Sequence, residues 1–306
     1  MRVVYVKAPF NFEIREVAMP EPGEGQVLLD VRACAVCGTD MHTAATDADY
    51  FQSFGHEIAG VVVKNGPGCH RFKEGDKVII ESGTFCHTCD NCRNGRVDIC
   101  TNGISIIDDV EISGYADYML VPEQAMVPFD GLEFAEAALA EPLGVALDLF
   151  YTTGIELNDD VAVIGLGPIG LMAIALAKAA GARNIYAIQR NRNSKARVEL
   201  AKKLGATDVI FTSEMKMEDY PFPRGGVNKI MITAAPAVIP ELREWKGYTG
   251  TFTPAENAKV VIASEELREV AEIFAADCRL SENKTTLVFF SFSFFFLGAG
   301  LLLSGL

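Results

Sequence analysis

Between residues 86 and 100 the chain reads CHTCDNCRNGRVDIC, which places Cys86, Cys89, Cys92 and Cys100, half of its 8 cysteines, in one short segment. Four thiolates at the spacing C-x2-C-x2-C-x7-C can surround one Zn²⁺ tetrahedrally and leave no coordination position for water or substrate. A closed set of this kind is structural, and its binding free energy orders a loop that lacks regular secondary structure. His87 is not needed to complete the set and is expected to face solvent. A second chemical signature is Gly165-Leu166-Gly167-Pro168-Ile169-Gly170, a G-x-G-x-x-G that follows the strand-like VAVI and opens the helix-like IGLMAIALAKAA. Glycines there allow a tight turn and let a pyrophosphate approach a helix N-terminus, where free amides and the helix dipole favour negative charge. The strand–turn–helix setting distinguishes a dinucleotide fingerprint from a chance run of glycines.

Two further motifs, CGTDMH at residues 37–42 and GHE at residues 55–57, carry thiol, imidazole and carboxylate groups. Each is weak alone, because a lone thiol or histidine is more often a packed or hydrogen-bonded core group. Cys34 forms C-x-x-C with Cys37, but it closes the β-like run VRAC and reads as a small packed thiol rather than a redox partner. Cys69 and Cys278 carry no functional assignment.

These motifs need elements to hold them. Up to about residue 148 the texture is β: QVLLDVRA, IAGVVVKN and DKVIIES are separated by the turn signals PEPGEG, NGPG and KEGD. Many short strands of this kind predict a barrel-like β domain over residues 1–148 that carries the loop 86–100. From about residue 156, DDVAVIGLGPIGLMAIALAKAAGARNIYAIQ, SKARVELAKKLGATDVIFTS and NKIMITAA alternate strands with helices, which predicts a parallel, doubly wound sheet. After Pro236 the pattern weakens; EELREVAEIFAADC has helical spacing, but its neighbours give no clear strand.

The bulk numbers narrow the function classes. A chain of 306 residues is long for one core and comfortable for two domains. With 27 basic and 41 acidic side chains the formal charge is −14, a surface that repels phosphate backbones and argues against a nucleic-acid binder built on the cysteine loop. The opening residues, MRVVYVKAPFNFEIREV, lack the apolar run and cleavage site of a signal peptide. A cytoplasmic, reducing location is therefore expected, where clustered cysteines bind metal rather than pair. Residues 287–306, LVFFSFSFFFLGAGLLLSGL, carry no charge and are long enough to span a bilayer as a helix.

Taken in order, GHEIAGVVVKNGPGC, GDKV, the four-cysteine loop, AEPLG and GLGPIG make residues 1–235 resemble the zinc-dependent medium-chain dehydrogenase/reductase family, which includes alcohol, polyol, sugar and threonine dehydrogenases. The resemblance implies an α/β plus β fold: an N-terminal chaperonin-10-like β-barrel catalytic domain and a Rossmann nucleotide-binding domain over residues 149–275. It makes the loop 86–100 the structural zinc lobe and implies a second, catalytic zinc. Cys37, His56 and Glu141 match the family's protein ligands, and Glu57 matches an adjacent carboxylate that can ligate when water or substrate leaves. Such a set keeps one position open, as catalysis requires. Thr39 would take the proton of a substrate hydroxyl and pass it, through the cofactor ribose, toward His42 at the surface. A hydride would move between a small alcohol of polyol, sugar or amino-alcohol type and a nicotinamide. Family members are commonly homo-oligomers.

The choice of nicotinamide is read from the end of the second strand, where an NAD site usually carries Asp or Glu for the ribose hydroxyls. Here GARNIYAIQRNRNSK offers Gln189 followed by Arg190 and Arg192. With no carboxylate and two guanidiniums available for a 2′-phosphate, NADP is expected over NAD. Beyond residue 235 the resemblance fails: WKGYTGTFTPAENAK does not supply the expected glycine-rich strand and further β-α units. The nucleotide domain is thus expected to be truncated, and residues 276–306 to be a divergent apolar segment rather than a membrane anchor or an oligomer-forming segment. Membrane contact is expected only if the segment 287–306 is genuine. Two function classes stay open, an enzyme and a catalytically impaired zinc- and nucleotide-binding remnant. Retention of Cys37, His56, Glu57 and Glu141 favours the first, and the divergent end favours the second.

Overall fold

The computed structural model describes residues 1–234, together with the backbone of two short strands, Lys259–Ile262 and Leu287–Phe289. The chain divides between Pro142 and Leu143 into two compact units.

The first unit is built from β1 (Arg2–Lys7), β2 (Asn11–Glu16), β3 (Gln26–Ala35), β4 (Gln52–Ser53), β5 (Glu57–Asn65), β6 (Lys77–Ile80), β7 (Tyr118–Pro122) and β8 (Met126–Pro128). They form two antiparallel sheets with strand orders β2-β1-β4 and β7-β3-β5-β6-β8. Alternation of side chains across the pleat sets the core. Val27 and Leu29 of β3, Val78 and Ile80 of β6, and Met119 and Val121 of β7 point inward two residues apart and meet Ile58 and Val62 of β5. The β3–β5 register shifts between Leu28 and Leu29 and again between Val31 and Ala33. Irregularities of this kind bend a strand and strengthen its twist, as a curved β domain needs.

Short helices sit on this frame: α1 (Gly38–His42), α2 (Asp90–Arg93) and α3 (Phe134–Ala137). The cysteine loop is closed at its base like a drawstring. Gly83 and Ser105 form an antiparallel bridge, Thr84 N–H donates to Ile104 O at 2.9 Å, and Ile106 N–H donates to Ser82 O at 2.9 Å.

The second unit begins within α4 (Ala140–Thr153) and alternates β9 (Asp160–Ile164), α5 (Pro168–Ala179), β10 (Asn184–Gln189), α6 (Lys195–Leu204), β11 (Asp208–Phe211) and β12 (Lys229–Ile232). With β13 (Lys259–Ile262) and β14 (Leu287–Phe289) these strands make a parallel sheet in the order β11-β10-β9-β12-β13-β14. Val161, Val163, Ile185, Ala187, Phe211 and Met231 pack against Ala173, Ile174 and Ala177 of α5. The strands carry apolar residues almost continuously because a parallel sheet is covered on both faces.

The two architectures expected from sequence, a strand-rich β unit and a doubly wound parallel sheet, are both present. One expectation needs correction. The run KVVI carries no clear strand signal in the sequence, yet it is β13; four residues give too short a pattern to separate a buried parallel strand from other apolar runs. At the start of the apolar segment, Leu287–Phe289 pairs with β13 as a parallel strand. The helical expectation for residues 265–278 and the remainder of the apolar segment, 290–306, lie outside the described residues. No helix among the described residues is long and apolar enough to cross a membrane.

Candidate active site and metal centres

In the loop 86–100 the sulfurs of Cys86, Cys89, Cys92 and Cys100 all lie within 4.8 Å of one another. Backbone amides converge on them. Thr88 and Cys89 N–H donate to Cys86 Sγ at 3.4 and 3.3 Å, while Cys86 and Asn102 N–H donate to Cys100 Sγ at 3.2 and 3.4 Å. Hydrogen bonds to sulfur favour the thiolate, and those from Thr88 and then Cys89 bring the Cys86 thiol down to about 5. Burial and the neighbouring thiols push Cys92 up to about 12. Four clustered sulfurs, two of them receiving backbone N–H groups, fit a soft tetrahedral ion. His87 is exposed and packs edge-on against Phe85 with ring centroids 4.5 Å apart, outside the thiol set as expected.

A second cluster joins residues distant in sequence. Cys37 Sγ, a His56 ring nitrogen and a Glu57 carboxylate oxygen lie within 4.8 Å of one another. Cys37 is the N-cap of α1, and His56 and Glu57 stand at the entrance to β5. Gly55 makes that entrance possible: its φ is +96°, and a Cβ would stand 2.7 Å from the Tyr115 ring and 2.9 Å from Cys34 Sγ. Asp40, three residues after Cys37, is buried and ties the pieces together. Its Oδ2 accepts the Cys37 N–H at 2.9 Å and the Tyr115 O–H at 3.0 Å, and its Oδ1 is 3.6 Å from His56 Nδ1. Tyr115 O–H also lies 2.9 Å from the carbonyl of Ala35.

Burial, and after it the negative charges of Glu141 and Asp40, push the Glu57 carboxyl up to about 7. Burial likewise raises Cys37 to about 11. Glu141 itself, expected among the ligands, is not in the three-residue cluster; its carboxylate accepts a hydrogen bond from the Ser82 hydroxyl. It remains close enough for its charge to act on Glu57. Thr39 is half-buried with its hydroxyl 3.7 Å from Cys37 Sγ. His42 is exposed at the end of α1, its Nε2 3.4 Å from the Asp47 carboxylate. Cys34 is partly buried and its thiol is driven upward by burial, which suits a packed group.

The glycine turn in the second unit has the expected geometry. Gly165 adopts φ +99°, and a Cβ on Gly170 would lie 1.9 Å from the carbonyl oxygen of Gly165. Gly167 is the N-cap of α5 with Pro168 at the first helical position, and nothing among the described residues lies within 4 Å of where its Cβ would be. Ile169 packs on the core below. Thr233 Oγ1 donates toward the carbonyls of Ile164 and Gly165 at 3.1 and 3.0 Å and fastens the turn to the end of β12. At the end of β10, Gln189 Nε2 donates to Asn191 O at 2.7 Å. Arg190 follows directly, its carbonyl accepting the Ser213 N–H at 2.9 Å. Arg192 lies over the Phe211 ring at 4.2 Å and makes two bonds to Glu214, Nε to Oε1 at 2.6 Å and Nη2 to Oε2 at 2.7 Å.

Asp40, Ser82, Tyr115 and Thr233 do not emerge from the sequence. Asp40 has a signal there, a carboxylate three residues after a helix N-cap. The other three act across long sequence separations and have none.

Two domain families match the chain: the alcohol dehydrogenase GroES-like domain over residues 23–131 and the zinc-binding dehydrogenase domain over residues 168–251. Among curated relatives, the zinc-type alcohol dehydrogenase-like protein YphC of Escherichia coli K12 is 34% identical over 68% of this chain and 62% of its own length. The L-threonine 3-dehydrogenase of Bacillus velezensis is 39% identical over 66% of this chain and 59% of its own. The sorbitol dehydrogenase of Bacillus subtilis is 33% identical over 65% and 58%. The chain thus spans about three-fifths of the length of these relatives. Among solved structures, a zinc-binding dehydrogenase from Sinorhizobium meliloti bound to NADP superposes with a TM-score of 0.71 at 28% identity, covering 85% of this chain and 75% of that one. An alcohol dehydrogenase from Escherichia coli CFT073 complexed with NADH gives 0.76 at 25% identity, covering 95% and 82%.

Proposed function

Because the chain belongs to the zinc-dependent medium-chain dehydrogenase family, we propose that it is an oxidoreductase that moves a hydride between a small alcohol and a nicotinamide dinucleotide. The observation that carries this reading is the convergence of Cys37, His56 and Glu57 on one point. Together with the glycine turn at Gly165, Gly167 and Gly170, it supports one chain holding both a Lewis acid and a hydride carrier. In this reading residues 1–148 supply the metal ligands and residues 149–275 hold the nucleotide.

Zinc, when bound, supplies a Lewis acid that lowers the pKa of a substrate hydroxyl. The nicotinamide, when bound, supplies the hydride acceptor. Cys37, His56 and Glu57 would hold that ion, and the buried Asp40 carboxylate, 3.6 Å from His56 Nδ1, would steady the imidazole. Glu141, whose carboxylate accepts the Ser82 hydroxyl and whose charge acts on Glu57, would be a further ligand. Thr39 takes the substrate proton, and His42 beside Asp47 hands it to water. The four-cysteine loop holds a second, structural zinc. Gly165, Gly167, Pro168, Ile169 and Gly170 receive the pyrophosphate, while Gln189, Arg190 and Arg192 face the adenosine ribose and favour NADP. The substrate is a polyol, a sugar or an amino-alcohol, a range supported by the threonine and sorbitol dehydrogenases among the relatives. The alternative of a catalytically impaired remnant has only the divergent end of the sequence in its favour.

The test is a panel of polyols, sugars and 3-hydroxy amino acids with NADP⁺ or NAD⁺ in the presence of zinc. Turnover of at least one class is expected, with NADP⁺ preferred. Cys37→Ser should abolish it while circular dichroism stays unchanged; undiminished turnover in that variant would overturn the assignment. Elemental analysis should find two zinc ions per wild-type chain and one in Cys37→Ser.

A further inference from the structure

The reading of Arg192 as a partner for a ribose 2′-phosphate leaves one contact unexplained. Its guanidinium already has a bidentate anionic partner, Glu214, from the turn that follows β11. A bidentate carboxylate occupies the Nε and Nη2 edge of the guanidinium, the same edge on which a phosphate makes two parallel bonds. The Phe211 ring, 4.2 Å away, fixes the guanidinium plane and leaves its polar edges as the places where an anion can bind. The pair is largely open to water, with Arg192 at 67% and Glu214 at 46% side-chain exposure, so solvent screens it and a dianion can displace the carboxylate. Its position in the fold suits a coenzyme contact, since Thr212 and Ser213 N–H donate to the carbonyls of Gln189 and Arg190 and so bind the Glu214 turn to the end of β10.

We infer that Glu214 sets the coenzyme preference of this protein by competing with a ribose 2′-phosphate for Arg192. The inference rests on the proposed nucleotide site and goes beyond it. Arg192 by itself favours NADP, and Glu214 holds that preference down by occupying the guanidinium. A coenzyme without the 2′-phosphate has no quarrel with the pair and leaves it closed.

The test measures binding of NADPH and NADH to the full chain by fluorescence titration, for wild type, Glu214→Gln, Arg192→Gln and the double variant. Glutamine keeps the shape of Glu214 and removes its charge, and the NADH constant reports whether the site remains folded. Glu214→Gln should tighten NADPH by about three- to tenfold at low salt with NADH unchanged. Arg192→Gln should weaken NADPH selectively, and in its background the Glu214 substitution should have no further effect. An unchanged NADPH to NADH ratio in Glu214→Gln, or weaker NADPH binding, would overturn the competition and show Glu214 to be a support for Arg192. A Glu214 effect that persists in the Arg192→Gln background would also overturn it. Absence of binding of either coenzyme to wild type would instead remove the nucleotide site itself, a failure distinguishable from the others.

Discussion

Asp40 keeps its carboxylate where almost no water reaches it, and such a charge is stable only when its neighbours are donors. It has them in the Cys37 amide, the Tyr115 hydroxyl and His56. Asp40→Asn preserves volume but turns an NH₂ group toward at least one of those donors. Loss of such an outer partner lowers metal affinity by about 10- to 100-fold, and that loss is expected for the Cys37 site in a chelator-competition titration. Protons enter the same measurement. Glu57 is raised to about 7 and Cys37 to about 11, so binding a cation there must expel protons that the metal-free protein retains. Apparent zinc affinity should therefore climb as pH rises from 6 to 8; a flat profile would count against Glu57 as a ligand. The sign for stability is the reverse. With its pKa lifted from 4.5 to about 7, Glu57 stabilises the metal-free fold most at low pH, and that contribution is lost as pH rises through 7. At this scale the sequence is a partial guide. Cys37, His56 and Glu57 are legible through the family's motifs, whereas the hydrogen bond from Ser82 to Glu141, 59 residues away along the chain, leaves no signal there.

Elements show where local pattern suffices. The spacing of Cys86, Cys89, Cys92 and Cys100 is enough to assign them to one set because all four lie in a single loop, and closing a short loop costs little entropy. Without a metal the loop keeps only α2 and a few turns, so removing the ion with a strong chelator should loosen it. Trypsin cleavage at Arg93 and Arg96 should then accelerate severalfold, while sites in the sheets stay protected. The glycine turn separates two kinds of glycine. Gly170→Ala drives a Cβ into the Gly165 carbonyl and should cost about 2 kcal/mol or more in a thermal or denaturant melt. Gly167→Ala meets no neighbouring atom among the described residues and should fold normally, yet weaken coenzyme binding by crowding the pyrophosphate. The alternating apolar pattern announces the sheets of both units. It does not reveal β13 and β14, whose four and three residues are shorter than any window in which a period can be recognised.

For the molecule as a whole the dominant number is the charge of −14. A nicotinamide coenzyme is itself a polyanion, so the long-range field opposes its approach and only groups close to the site attract it. Screening relieves the first effect more than the second, since the Debye length falls to about 10 Å at 0.1 M salt. The association rate constant in stopped flow should consequently increase with ionic strength from about 0.01 to 0.1 M, opposite to ordinary electrostatic steering. The drawstring at the base of the cysteine loop has a larger bearing. Ser82 accepts a backbone bond from Ile106 there, while its hydroxyl holds Glu141 near Glu57. Ser82 thus ties the base of the cysteine loop to the carboxylate whose charge acts on Glu57, so an ion bound in that loop should shift the affinity of the Cys37 cluster, a coupling that a zinc titration of Cys86→Ser against wild type would detect.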